Sequence, residues 1–499
     1  MPDYVFSILV EFSAGILFLL QNDIHQENST MFDHTNFIRF WKWWQARPVL
    51  PAHLPRLLLA DRFQPRYVRR CHVTQAICET LRLLDWEQLP HSLSLHRQGE
   101  RSVPLAAYIG AYLVKIDQEI STFGKLRLFL RNHPALLWAL GFPLPSPAKY
   151  PTDKAVEMCL PSQQHFSKKL SRIPNEILQT LLDSQVDWLK EQLGASFCSV
   201  VSIDTKHILA WVKENNPKAF IKEGRFDKSQ QPLGDADCKL GCKRRRNQVT
   251  PTKEGQPVSE QVSIGEFYWG YASGVVATKV PDVGEFALAE LTQTFDHGDS
   301  TYFLPLMAQV EQRLGFRPPF GTADAAFDAW YVYDYFHNPA HDGFAAVPLR
   351  KMKQGHRLFD PTGLPLCEAG LPMPRKSTFT NRTSLVQHQR GRFVCPLLYP
   401  EPAGEVCPID HVKWPKGGCK LVMPTAPGAR IRYQLDRESE QFKTVYKQRT
   451  AVERIFSQAK ALGIERPKLR NQFAIANQNT LIYLLINCRL IRRLWADEA

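Results

Sequence analysis

The stretch Tyr446 to Lys460, YKQRTAVERIFSQAK, constrains this chain more than any other. Tyr446, Arg449, Glu453 and Lys460 follow one another at steps of three, four and seven residues. At ~100° per residue those steps place all four on one stripe of a helix, within roughly 60° of one another. Val445, Val452, Ile455, Ala459 and Leu462 give the same helix an apolar face, and no Gly or Pro interrupts it before Gly463, which predicts its stop. A tyrosine, an arginine, a carboxylate and a lysine on one stripe do not suit a core. They suit a surface that holds a metal and a phosphate together, and one carboxylate cannot hold a catalytic metal alone.

Two upstream aspartates are the candidate partners. Phe197 to Ile203, FCSVVSI, is rich in β-branched residues and predicts a buried strand ending at Asp204. Phe320 to Ala323 predicts a short strand ending at Asp324. Two strand-end aspartates and a helical glutamate at one sheet edge can bind two divalent ions. Mg²⁺ takes oxygen ligands and keeps several waters, so a few carboxylates and substrate phosphate oxygens suffice. Two such ions ~3.5–4 Å apart assist both the attacking and the leaving oxygen of phosphoryl transfer. Asp328, four residues after Asp324, reads as a structural or supporting carboxylate.

The remainder divides by composition into five segments. Residues 1–30 hold a mostly apolar run, Tyr4 to Leu20, broken by Glu11. It is short for a membrane span and no basic region precedes it, so it is a poor signal peptide as well. We expect the true start at Met31, with a membrane anchor as the alternative. Residues 31–195 predict helices, with an aromatic, basic Phe37 to Trp44. Asp153 and Ser162 are candidate helix caps. Lys154 to Leu170 is a possible helix-turn-helix that exposes Gln163, Gln164, His165, Lys168 and Lys169, although most such pairs are packing units.

Residues 196–350 predict strands and helices in alternation. A polar loop from about Glu214 to Val262 carries the basic run Lys243, Arg244, Arg245, Arg246, a candidate for phosphate contacts. Glu266 to Val280 predicts two strands around Tyr271 to Gly274. Strands at Phe286 to Leu291 and Phe344 to Leu349 and helices at Tyr302 to Leu314 and Asp328 to Phe336 follow. Residues 351–435, rich in Pro and Gly, predict an irregular or β-rich module. Its Cys367, Cys395, Cys407 and Cys419 could form a structural zinc site, but they lack a paired CxxC knuckle and read first as unpaired thiols. Residues 436–499 complete the core. There Ile475 to Leu494 is apolar but carries Asn477, Asn479, Asn487, Arg489, Arg492 and Arg493, so it should pack on protein. A net charge of +13 favours a polyanionic partner. Eleven scattered cysteines fit a reduced, intracellular protein.

The four stripe residues fill a Tyr-x2-Arg-x3-Glu-x6-Lys signature without a gap. Together with SIDTKH around Asp204, GTADAAFD around Asp324, and LGIERPKLRNQ and NQNTLIYLLIN downstream, they make residues 197–495 resemble the DDE-type transposases of bacterial insertion sequences. The resemblance implies an α/β fold: a ribonuclease-H-like mixed sheet flanked by helices, with a helical N-terminal DNA-binding domain and an insertion before the last catalytic helix. It implies that Asp204, Asp324 and Glu453 bind two Mg²⁺ ions, with Mn²⁺ able to substitute. Tyr446, Arg449 and Lys460 would contact DNA phosphates, with Lys243 to Arg246 adding backbone contacts. It implies double-stranded DNA as partner (element ends and target), a homodimer in the DNA complex, no membrane, and a nucleoid-associated place in a bacterial cytoplasm. Terminal inverted repeats would be bound, cut and transferred. The alternatives are a nuclease of this fold without strand transfer, a catalytically silent DNA-binding descendant, and a membrane-anchored protein.

Overall fold

The computed structural model describes residues 50–51, 53–90, 103–144, 150–194, 197–216, 225–246, 263–338, 342–350 and 357–497. The apolar run 4–20, the Phe37 to Trp44 segment and the 1–30 extension lie outside them. All described elements belong to the unit Pro51–Ala499.

The N-terminal part is helical: α1 (Arg66–Arg69), α2 (His72–Leu81), α3 (Leu105–Asp117), α4 (Phe123–Asn132), α5 (Pro134–Ala139), α6 (Asp153–Cys159), α7 (Gln163–Leu170) and α8 (Asn175–Leu193). Ser162 caps α7 by accepting the His165 N–H. Thr152, not Asp153, caps α6, and Asp153 is its first residue. In the pair α6–α7, Val156, Phe166 and Leu170 face inward, while Gln163, Gln164 and Lys168 are exposed and His165 and Lys169 lie against the Tyr108 ring.

A mixed sheet follows: β1 (Val200–Leu209), β2 (Lys239–Arg246), β3 (Ser263–Val280), β4 (Gly284–Thr294), β5 (Phe320–Ala323) and β6 (Phe344–Ala346). β3 pairs antiparallel with both β1 and β4, and β5 and β6 run parallel to β1. Leaving β2 aside, the spatial order is β4-β3-β1-β5-β6, third-second-first-fourth-fifth, with the second strand reversed. That is the ribonuclease-H-like mixed sheet, flanked by helices as expected.

Several expected boundaries differ. β1 continues through Asp204 to Leu209 instead of ending there, because β3 accompanies it along its whole second half. The region read as one polar loop contains β2, which pairs with the first half of β3 and carries the basic run. Glu266 to Val280 is one strand, not two. Its glycines mark close approaches: a Cβ at Gly270 would lie 2.1 Å from the Ile208 carbonyl oxygen, and one at Gly274 would lie 2.4 Å from the Tyr302 ring.

Side chains alternate across β1. Val201 and Ile203 join the main core with α9 (Phe303–Leu314) and α10 (Trp330–Phe336). Val200 faces the other way, onto Phe442 and Val445. In chain order, between β6 and Phe442, comes a separate antiparallel sheet, β7 (Arg375–Asn381), β8 (His388–Val394) and β9 (Lys420–Pro424), the expected β-rich module. Of its four cysteines, Cys395 and Cys367 neighbour Cys419. Among the described residues no three metal-ligating side chains gather closely enough to hold an ion. Burial, then neighbouring Cys395 and Cys367, push the Cys419 thiol up to about 12.

The chain ends in the helices α11 (Gly428–Gln434), α12 (Glu440–Lys447), α13 (Thr450–Ala461) and α14 (Gln472–Asp497). As expected, α14 packs on protein. Its asparagines are satisfied there: Asn477 donates to the Leu170 and Ile173 carbonyls, and Asn487 both accepts the Ala287 N–H and donates to the Ala287 carbonyl. Asn487 thus covers backbone groups of β4 that no strand pairs. No helix among the described residues is long and apolar enough to cross a membrane.

Candidate active site

The parallel register of β1 and β5 sets Ser202 beside Thr322 and Ile203 beside Ala323. The next residue on each strand is Asp204 and Asp324, so the two carboxylates emerge side by side where the pairing ends. Period-two alternation puts Asp204 on the face of Ser202, and Ser202 Oγ accepts the Val452 N–H (3.1 Å). Val452 lies in the first turn of α13, where backbone donors lack helical partners. This bond ties the start of α13 to β1, one residue before Glu453. Val452, Ile455 and Ala459 are buried as the apolar face predicted.

The helix itself differs from expectation. Gln448, Arg449 and Ala451 donate to carbonyls three residues back, so the backbone tightens between α12 and α13 and divides one helix into two without Gly or Pro. Three-residue spacing eclipses side chains in such a turn, and the Arg449 guanidinium sits 5.9 Å from the Tyr446 ring centre. Gly463, with φ +87°, stops α13 as expected.

Arg449 is the hub of the site. Its Nη2 is 2.5 Å from a Glu453 oxygen and its Nη1 is 3.9 Å from Asp204 Oδ2. Asp204 is held up to about 7, first by burial and then by the neighbouring Asp324 charge, against the Thr205 N–H that donates to it (2.7 Å). Burial also raises Asp324, which the Ala326 N–H opposes at 2.7 Å. Two half-buried carboxylates beside each other stay raised despite the Arg449 and Arg350 guanidinia, and a divalent cation suits that environment. As folded, however, Glu453 points to Arg449, and the three acids do not gather at metal-ligand distance. Holding a metal with all three requires Glu453 to exchange partners.

The aspartates open onto a cleft of about 700 Å³ that Lys206, Lys228 and Lys243 also line. Lys243 of the basic run therefore reaches the site. Arg244, Arg245 and Arg246 follow on β2, paired in register with Gly265, Ile264 and Ser263. Lys460 lies further along α13, 3.7 Å from Glu465, which also pairs with Lys206 at 2.6 Å. Tyr446 stacks on Phe442 and packs against the Val200–Phe344 cluster. Asp328 is fully buried between Arg432, the Tyr333 hydroxyl and the Arg350 N–H, fastening α10 to α11.

The sequence reading missed Asp299, which lines the same cleft. It lies just beyond β4 in the charged run Asp296-His-Gly-Asp299. A search for carboxylates shortly after each core strand, as well as at strand ends, would have found it.

Residues 282–488 match the transposase DDE domain. The match takes in Asp324 and Glu453 and begins after Asp204. It supports a DDE-type transposase, a class that uses divalent metal ions. The piggyBac transposase in its synaptic complex with hairpin DNA is similar at 11% identity with a TM-score of 0.31, over 84% of this chain and 72% of that one. None of the curated proteins matches the chain.

Proposed function

We propose that this protein is a cut-and-paste transposase of the insertion-sequence type that carries the Tyr-Arg-Glu-Lys signature. It binds the inverted ends of its element and cleaves and joins DNA by phosphoryl transfer. The observation that carries this reading is the pairing of Asp204 and Asp324 at the ends of adjacent parallel strands, with the Glu453 helix pinned to the same strand through Ser202 and Val452.

Asp204, Asp324 and Glu453 would hold Mg²⁺, two ions by preference, which would supply activation of the attacking oxygen and charge relief at the leaving one. The chain's own part is to bind and orient. Arg449 offers a planar fork to a phosphate, and Lys243 and Lys206 offer point charges along the cleft. Water attacks the phosphodiester at the element end in line, the P–O bond to the leaving oxygen breaks, and a 3′ hydroxyl is freed. That hydroxyl displaces an oxygen of target DNA in a second in-line step. Glu453 must leave Arg449 for this geometry, and a phosphate is the natural replacement partner for the guanidinium. Two subunits on paired ends complete the proposed assembly.

The test is cleavage of a duplex carrying the element's end. Asp204→Asn, Asp324→Asn and Glu453→Gln should each abolish Mg²⁺-dependent release of a 3′ hydroxyl while retaining DNA binding. Normal release by Glu453→Gln would refute the assignment.

A further inference from the structure

We infer that Asp299 is a positioning carboxylate beside the candidate metal site, one that orients Asp204 through Thr205. The inference rests on the metal-site reading above.

Three observations carry it. Asp299 Oδ1 accepts from Thr205 Oγ1 at 2.6 Å, and the N–H of the same Thr205 donates to Asp204 Oδ1 at 2.7 Å. Thr205 therefore holds both carboxylates, Asp299 through its hydroxyl and Asp204 through its backbone N–H. Second, the turn bearing Asp299, Asp299–Thr301, is fastened from two sides. The fully buried Tyr302 donates its hydroxyl to the Ala272 carbonyl (3.0 Å), and Tyr331 donates to the Ser300 carbonyl (2.9 Å). Third, the residue capping that turn is Gly298, which makes no side-chain cap bond, and Asp299 reaches across to β1 and lines the cleft with Asp204 and Asp324. Its negative charge acts on both aspartates.

The bond from the Thr205 hydroxyl engages Asp299 Oδ1, which suits a carboxylate that orients Asp204 from outside better than a direct ligand. Carboxylates that orient ligands from outside typically change metal affinity by roughly 10–100-fold.

The experiment is Mn²⁺ titration of the DNA-free full-length protein, read by electron paramagnetic resonance. Asp299→Asn should weaken Mn²⁺ binding by roughly tenfold or more, Asp299→Glu should restore part of it, and Thr205→Val should shift it the same way. Cleavage by Asp299→Asn should recover as metal is raised, which a merely structural lesion would not show. Wild-type affinity in both Asp299→Asn and Thr205→Val, alongside loss of binding in Asp204→Asn, would overturn the role of Asp299 alone. Undiminished binding in Asp204→Asn would overturn the metal-site reading beneath it. If Asp299→Asn does not fold, Thr205→Val decides.

Discussion

Arg449 places one positive charge between Asp204 and Glu453 and so stands where a divalent ion would do similar electrostatic work. Arg449→Gln should therefore tighten Mn²⁺ binding several-fold in the absence of DNA, because a competing cation is gone, yet slow end cleavage tenfold or more, because a phosphate loses its fork. Metal titration and single-turnover cleavage on one preparation check both halves. Acidity gives a second expectation. Asp204 and the fully buried Glu290 are both held up to about 7, burial being the first cause in each. Between the ordinary carboxylate range and about 7 the folded state binds more protons than the unfolded chain, so metal-free stability should fall as pH rises through that window. Melting temperatures from pH 5 to 8 should show this, Mg²⁺ should oppose it at the upper end, and Asp204→Asn should flatten it.

Ser202 shows how much one element junction carries. Ser202→Ala removes the acceptor of the buried Val452 N–H, which should cost about 1–3 kcal/mol in urea unfolding and displace the start of α13, lowering cleavage beyond what the stability loss explains. Legibility in the sequence follows the same physics. β5 was readable to its ends because a short buried parallel strand is a compact apolar run, and α7 because its cap Ser162 marks its start. β2 was hidden: a basic strand such as Lys243 to Arg246 has no alternating apolar signal, and its partner determines its conformation. β3 looked broken because Gly270 and Gly274, ordinarily interrupters, are small there to admit Ile208 and Tyr302. The tightening at Gln448 and Arg449 left no residue-level mark. At the candidate site, the side-by-side placement of Asp204 and Asp324, with the Glu453 helix on the same strand, was legible. The present partner of Glu453 was not, since an i,i+4 ion pair competes with any metal geometry.

The whole molecule carries a net charge of +13, with Lys206, Lys228 and Lys243 around one cleft. DNA affinity should fall linearly with the logarithm of salt concentration, and Lys243→Ala should reduce that slope by about one while lowering affinity similarly for all sequences. A flat dependence in fluorescence anisotropy would show that phosphates do not dominate. The strand and helix order has a further consequence, in time. The β7–β9 module is spliced between β6 and the last helices, so Glu453 follows Asp324 by 129 residues (453 − 324). At roughly 5–20 residues per second a ribosome needs ~6–26 s to travel that distance. The aspartate pair is therefore synthesised well before its glutamate exists. On the proposed function, a nascent chain would hold only a half-built site and would leave the DNA around it uncut until α13 is made and docked on β1.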